Sequence, residues 1–176
     1  QRYWQRNRHR LIRELVGEGP RILDVGCGSS RLLEALPETS IGLDILPGKL
    51  RRARRFGRAL VRADAIGLPF PDARFDAVVA SQLVELVPPG GRALAEMVRV
   101  LRPGGRLIVA TPDYGRRRWR FLGALYSRIV PGAGDHPPRA RYSHRRLVEE
   151  LESRGLSLET ERGILGAEMI LAFRKP

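Results

Sequence analysis

The chain has 176 residues, 43% of them hydrophobic and 29% charged, which excludes a disordered tract and suffices for one domain with its own core. Its formal net charge is +13, and lysine occurs only at Lys49 and Lys175, so nearly all of the 32 basic residues are arginine. A single cysteine, Cys27, excludes an internal disulfide framework and points to a reducing compartment, the cytoplasm, and no stretch approaches the ~20 apolar residues of a membrane span.

In chain order, the start at Gln1 carries no signal-peptide pattern and reads as a processed or trimmed end. Tyr3 to Val16 is amphipathic, with Trp4, Leu11, Ile12 and Leu15 at helical spacing, and Gly17 to Pro20 ends it. A short apolar strand over 21–25 runs into the turn Gly26-Cys27-Gly28, then a helix over 29–36 closed by Pro37. A second strand over 40–45 carries Asp44, and a basic helix follows over 48–56, with Pro47 near its start. A third strand over 59–62 precedes Asp64, and a clean apolar run over 75–80 makes a fourth before Ser81. A helix over 92–101 stops at Pro103-Gly104-Gly105, and a fifth strand over 106–111 stops at Pro112. Ser143 N-caps a helix over 144–154 with Gly155 as its terminal glycine, and strands over 156–164 and 168–173 close the chain as a hairpin.

Short apolar strands alternating with helices predict a parallel sheet covered on both faces, with the hairpin making the last strand antiparallel. Right-handed crossovers place every strand's C-terminal end on one edge. Asp24, Asp44, Asp64 and Ser81 then share the edge where an open α/β sheet binds its ligand. Gly26 and Gly28 let a ligand approach bare backbone. A ligand made of adenosine and an amino-acid-like arm matches this set. Asp24 would balance an ammonium, Asp44 would accept both ribose hydroxyls, and Asp64 with Ala65 would meet the adenine edge. Singly, Asp24 or Asp64 is equally explained as a turn cap. Jointly, three acids at successive strand ends favour the ligand.

Ile22-Leu23-Asp24-Val25-Gly26-Cys27-Gly28, Gly42-Leu43-Asp44, Ala63-Asp64-Ala65 with Leu68-Pro69-Phe70, Phe75-Asp76-Ala77-Val78, and Arg99 to Leu107 resemble the successive motifs of class I S-adenosylmethionine-dependent methyltransferases, of the methyltransferase type 11 domain. The resemblance is close over residues 20–112. It implies a Rossmann-like, doubly wound, seven-stranded α/β sheet, mostly parallel with an antiparallel last strand. It also implies one methyltransferase domain over 1–176, with 113–142 a substrate-side insertion or lid. By position, Asp24, Gly26, Cys27 and Gly28 would hold the methionine part of S-adenosyl-L-methionine. Asp44 would bind ribose, Ile45 would pack on adenine, Asp64 and Ala65 would contact the adenine edge, and Ser81 would line the pocket. Ser30 replaces the third glycine of the usual turn, and Ser81-Gln82-Leu83-Val84-Glu85-Leu86 lacks the histidine often found after the fourth strand. No metal site is expected.

The expected reaction is methyl transfer to a small molecule of the lipid, quinone or sugar-intermediate kind, in places anionic. His136 is the candidate general base, since an ordinary imidazole titrates near neutrality. His9 and His144 read as surface residues. Trp119, Leu122, Leu125, Tyr126 and Ile129 follow helical spacing in the insertion, as a packed surface helix or as a lid with a basic face. Alternatives are an RNA methyltransferase, motivated by the charge, and a binding module that has lost turnover. The lopsided ratio of arginine to lysine, spread along the whole chain, reads ahead of that as the mark of a GC-rich genome. An NAD site is disfavoured by Ser30 and by the Asp64-Ala65 pair.

Overall fold

The computed structural model describes residues 2–17, 19, 21–29, 31–116 and 138–176. Its elements are α1 (Arg2–Val16), β1 (Ile22–Val25), α2 (Leu32–Ala35), β2 (Ile41–Asp44), α3 (Pro47–Ala53) and a 3-10 turn (Arg54–Phe56). There follow β3 (Ala59–Arg62), β4 (Phe75–Ser81), α4 (Arg92–Val100), β5 (Leu101–Pro112), α5 (His144–Glu152), β6 (Ser157–Ile164) and β7 (Glu168–Arg174). Among the described residues, seven strands form one sheet in the order β3-β2-β1-β4-β5-β7-β6. β1 to β5 pair in parallel, and β7 runs antiparallel to both β5 and β6. The expected α/β sheet with its antiparallel last strand is therefore present.

Period-two alternation divides the strands between two apolar layers. In β4, Val78 and Ala80 join Leu23, Val25, Leu94, Met97, Leu147 and Leu151 on the face covered by α4 and α5. Ala77 and Val79 join Ile22, Ile108, Ile170 and Ala172 on the other face, under Ile12 and Val16 of α1 and Leu32 of α2. Because β4 is fully buried on both faces, it reads as one unbroken apolar run rather than an alternating one.

Local signals place most boundaries. Ser143 Oγ accepts the Arg146 N–H at 3.3 Å, the N-cap expected for α5. Three elements differ from expectation. α2 holds four residues, because 26–29 are spent on the turn before it. The basic helix tightens into the 3-10 turn over its last three residues. β5 begins at Leu101, whose pairing with Phe75 is followed by a register shift that absorbs Arg102 to Gly105.

At the N-terminal edge of the sheet, Asp76 accepts the Arg21 N–H at 2.8 Å and pairs with the Arg102 guanidinium at 2.7 Å. Burial opposes its charge, but the hydrogen bonds from Arg21 and the charges of Arg102 and Arg21 prevail and hold its carboxyl below the ordinary range. This motif residue is a structural staple, remote from the opposite edge where the ligand residues gather.

Candidate cofactor and acceptor site

The turn after β1 folds over the end of β2. The Gly26 and Cys27 N–H groups both donate to Leu43 O, at 2.7 and 2.9 Å, and the Gly28 N–H donates to Asp44 Oδ2 at 2.9 Å. Gly26 and Gly28 lie at φ +70° and +58°, in the left-handed region. A Cβ on Gly26 would stand 2.7 Å from the Leu83 side chain, whereas one on Gly28 would meet nothing closer than Gly26 O at 4.0 Å. The turn is thus roofed by Leu83 at one glycine and open at the other. The Cys27 side chain packs in a satellite cluster with Leu33, Leu50 and Ala53 while its thiol reaches Gly28 O at 3.7 Å, and burial holds that thiol well above the ordinary range.

Asp24 is 1% exposed, and its Oδ2 finds no hydrogen-bond partner among the described residues. Burial first, and the nearby Asp44 charge second, push its pKa up to about 8. A buried carboxylate oxygen without a donor is costly. A cationic group over the turn would supply the missing partner, so the residues present fit an amino-acid ammonium. Asp44 is half-buried and also accepts the Leu46 N–H at 2.8 Å, leaving lone pairs on both oxygens for hydroxyl donors. Ile45 is 52% exposed beside it. Asp64 is exposed and accepts the Ile66 N–H at 3.2 Å, so the turn-capping reading of this residue is realised; Ala65 is buried behind it.

Beyond β4 the same edge carries a polar cluster that sequence reasoning missed. Gln82 holds a left-handed backbone, φ 56°, and its amide donates to Glu168 Oε1 at 3.0 Å. Glu168, at the start of β7, is 3% exposed and also accepts from Trp4 Nε1 and from Arg8, whose Nη2 lies 3.0 Å from Oε2. α1 is therefore fastened to the ligand edge by charge as well as by its apolar stripe. Glu85 is 5% exposed, and its Oε2 accepts the Thr111 hydroxyl at 2.9 Å. Burial pushes its pKa up to about 7. Glu85 O accepts the N–H groups of Arg139 and Ala140, and the Tyr114 N–H donates to Tyr142 O at 3.0 Å. Both flanks of 117–137 thus meet at the ends of β4 and β5.

The edge brings together Asp24, Gly26, Cys27, Gly28, Asp44, Ile45, Asp64, Ala65 and Ser81, the last half-buried at the end of β4. His136 and the apolar series Trp119 to Ile129 lie outside the described residues. His144 is one-third exposed and pairs with Glu161 at 2.9 Å. His9 is half-buried rather than on the surface, and burial, helped by the Arg8 charge, lowers its pKa to about 4. Trp4 reads in the sequence as packing on the sheet or closing over the cofactor; its bond to Glu168 was not legible, because that partner lies 164 positions away.

Residues 23–109 match the family model described as methyltransferase domain. The chain carries a class I S-adenosylmethionine-dependent methyltransferase domain. S-adenosylmethionine is the cofactor that this family and fold imply. A demethylmenaquinone methyltransferase of Renibacterium salmoninarum is 40% identical over 156 residues, covering 82% of this chain and 65% of that protein. A phthiotriol/phenolphthiotriol dimycocerosates methyltransferase of Mycobacterium leprae is 40% identical over 111 residues, covering 58% of this chain and 41% of that protein. The chain thus spans between 41% and 65% of the length of these two curated relatives. In fold it is similar to a solved S-adenosylmethionine-dependent methyltransferase of Thermotoga maritima, with TM-score 0.83 at 21% identity, over 99% of this chain and 90% of that one.

Proposed function

We propose that the protein transfers a methyl group from S-adenosylmethionine to a small, largely apolar acceptor of the lipid or quinone kind. The observation that carries the cofactor half is Asp24, buried with an unpartnered oxygen under a glycine turn that is open at Gly28. Asp24 with Gly26, Gly28 and the Cys27 main chain would hold the methionine part, Asp44 the ribose, Ile45 one face of adenine, Asp64 and Ala65 its edge, and Ser81 the wall toward the acceptor. Bound there, the cofactor supplies an electrophilic methyl group on a sulfonium.

The chain's own work is alignment, exclusion of water and removal of a proton. Leu83 over Gly26 and the partly exposed Leu86 offer an apolar wall. The names of the relatives support an acceptor of that character. Glu85, carrying a carboxyl that titrates near neutrality, and His136 are the proton-accepting candidates.

Isothermal titration with S-adenosylhomocysteine tests the cofactor half. We expect binding, weakened at least about tenfold in Asp44→Ala, which removes the acceptor of both ribose hydroxyls. Absence of heat from the wild type overturns the reading. Mass-spectrometric profiling of an extract for metabolites that gain one methyl group tests the acceptor half. Glu85→Gln and His136→Ala should each be assayed on the acceptor so found, and full activity in either removes that residue from proton transfer. Full cofactor affinity without any methylated product would instead mark a binding module. A steep salt dependence of RNA binding would favour an RNA acceptor.

A further inference from the structure

A concavity flanks the ligand edge on its β3 side, apart from the glycine turn. It is a cleft of about 590 Å³ between α3 with its 3-10 turn and the edge strand β3. Leu50 and Leu60 give it an apolar floor, and Arg51, Arg54, Arg58 and Arg62 line its walls. Among the described residues some arginines pair with carboxylates, as Arg8 does with Glu168, Arg99 with Glu96 and Asp72, and Arg106 and Arg174 with Glu159, while others, Arg6 and Arg13 among them, do not. None of the four cleft arginines has such a partner among the described residues.

Two of them are held in place by main-chain carbonyls. Arg58 donates to Phe56 O at 3.1 Å and to Leu36 O at 2.9 Å, while its Nε is buried without a partner. Arg62 donates to Ile45 O at 3.3 Å. The lining thus gathers four guanidinium-bearing side chains and no carboxylate. Guanidinium forks match phosphate oxygens in shape and charge, and an apolar floor suits the organic part of the same molecule.

We propose that this cleft binds a phosphate-bearing anion, either a soluble phosphate compound or the headgroup of an anionic lipid. The site is separate from the cofactor turn, so it stands or falls independently of the methyl-transfer reading. The neighbouring Ile45 and Leu46, 52% and 46% exposed, join the cleft to the ligand edge.

The test compares inorganic pyrophosphate, by titration calorimetry, with vesicles of phosphatidylglycerol or phosphatidylcholine, by sedimentation. Binding to pyrophosphate identifies the soluble source; binding to phosphatidylglycerol but not phosphatidylcholine vesicles identifies the lipid source. In either case Arg51→Gln/Arg54→Gln should lose about tenfold in affinity. Arg6→Gln/Arg13→Gln, the same charge change on the exposed side of α1, should lose none. Arg62→Gln is the second cleft variant, and S-adenosylhomocysteine binding, unchanged in the Arg51/Arg54 and Arg6/Arg13 variants, checks the fold. Equal losses in the cleft and α1 variants would overturn the site in favour of net charge alone. No binding to either probe, or tighter binding to single-stranded RNA lost in the same cleft variants, overturns it as well.

Discussion

Asp24 makes its role measurable by more than affinity. With a pKa pushed up to about 8, it is mostly protonated at pH 7 in the free protein. An ammonium brought over it favours the ionised form, so binding of S-adenosylhomocysteine at pH 7 should release about one proton. Titrations in buffers of different ionisation enthalpy should show that release, and Asp24→Asn should abolish it. Gly28 offers a second handle. Gly28→Ala forces a methyl-bearing residue to φ +58° and fills the open space above the turn. The strain should cost about 1 kcal/mol of stability. Gly57→Ala, at φ +66° with nothing nearby, should cost the same. Only the Gly28 variant should also lose cofactor affinity, at least about tenfold; equal affinity in the two would mean that nothing lies over the turn. These aspartates and glycines were legible in the sequence because a strand end followed by a glycine turn is a local pattern. Glu85 and Glu168 were not, since a carboxylate in an apolar run shows its burial and partners only once β4, β5 and β7 lie side by side.

At the scale of elements, α1 is the part whose meaning the structure changes most. Its apolar stripe predicted packing, and Ile12 and Val16 do pack. Its polar residues, however, reach Glu168 and through it Gln82 at the end of β4. Glu168→Ala would leave the Arg8 charge partly buried without its partner, and should destabilise by about 3–5 kcal/mol. Hydrogen exchange in α1 should quicken more than exchange in α4, which contacts none of this network; uniform quickening would show that α1 is held by its apolar stripe alone. Ser143→Ala removes an exposed cap and should cost about 1 kcal/mol. The helices and strands were readable from periodicity and punctuation, but the bulge that lengthens β5 was hidden, because Pro103-Gly104-Gly105 reads as a stop whether the chain leaves the sheet or only kinks within it.

For the whole molecule, buried acids on the ligand edge and paired ones elsewhere act in opposite senses. Asp24 and Glu85 have folded pKa values near 8 and 7, above the ordinary carboxylate range. Their share of stability is therefore complete below about pH 4 and is lost as pH rises through those values. Glu159, held at about 2 chiefly by hydrogen bonds from Arg106 and Arg174, and Asp76, also lowered, contribute above the ordinary range and lose that share as pH falls. His9, at about 4, adds a loss on acidification below about 6.5 that only partly offsets the two buried acids. The ligand-free protein should thus be most stable near pH 5 and weaken steadily toward pH 8. Thermal melts across that range check it: Asp24→Asn should flatten the alkaline decline, and a maximum at pH 8 would contradict the burial of both acids.

The strand order β5-β7-β6 has a consequence for how the molecule assembles. β6 touches the sheet only through β7, although it precedes β7 in the chain. It has no neighbour to join until the chain has turned back at Leu165-Gly166, so closing the hairpin first and docking it on β5 as a unit is the shorter route. Hairpins close in about 1–10 μs, faster than distant strands find each other. Until that docking the long flank of β5 stands open, a ready template for a stray strand from another molecule. The turn at Leu165-Gly166 therefore sets how long the nascent sheet remains adhesive, a kinetic duty quite apart from anything it does in the finished protein.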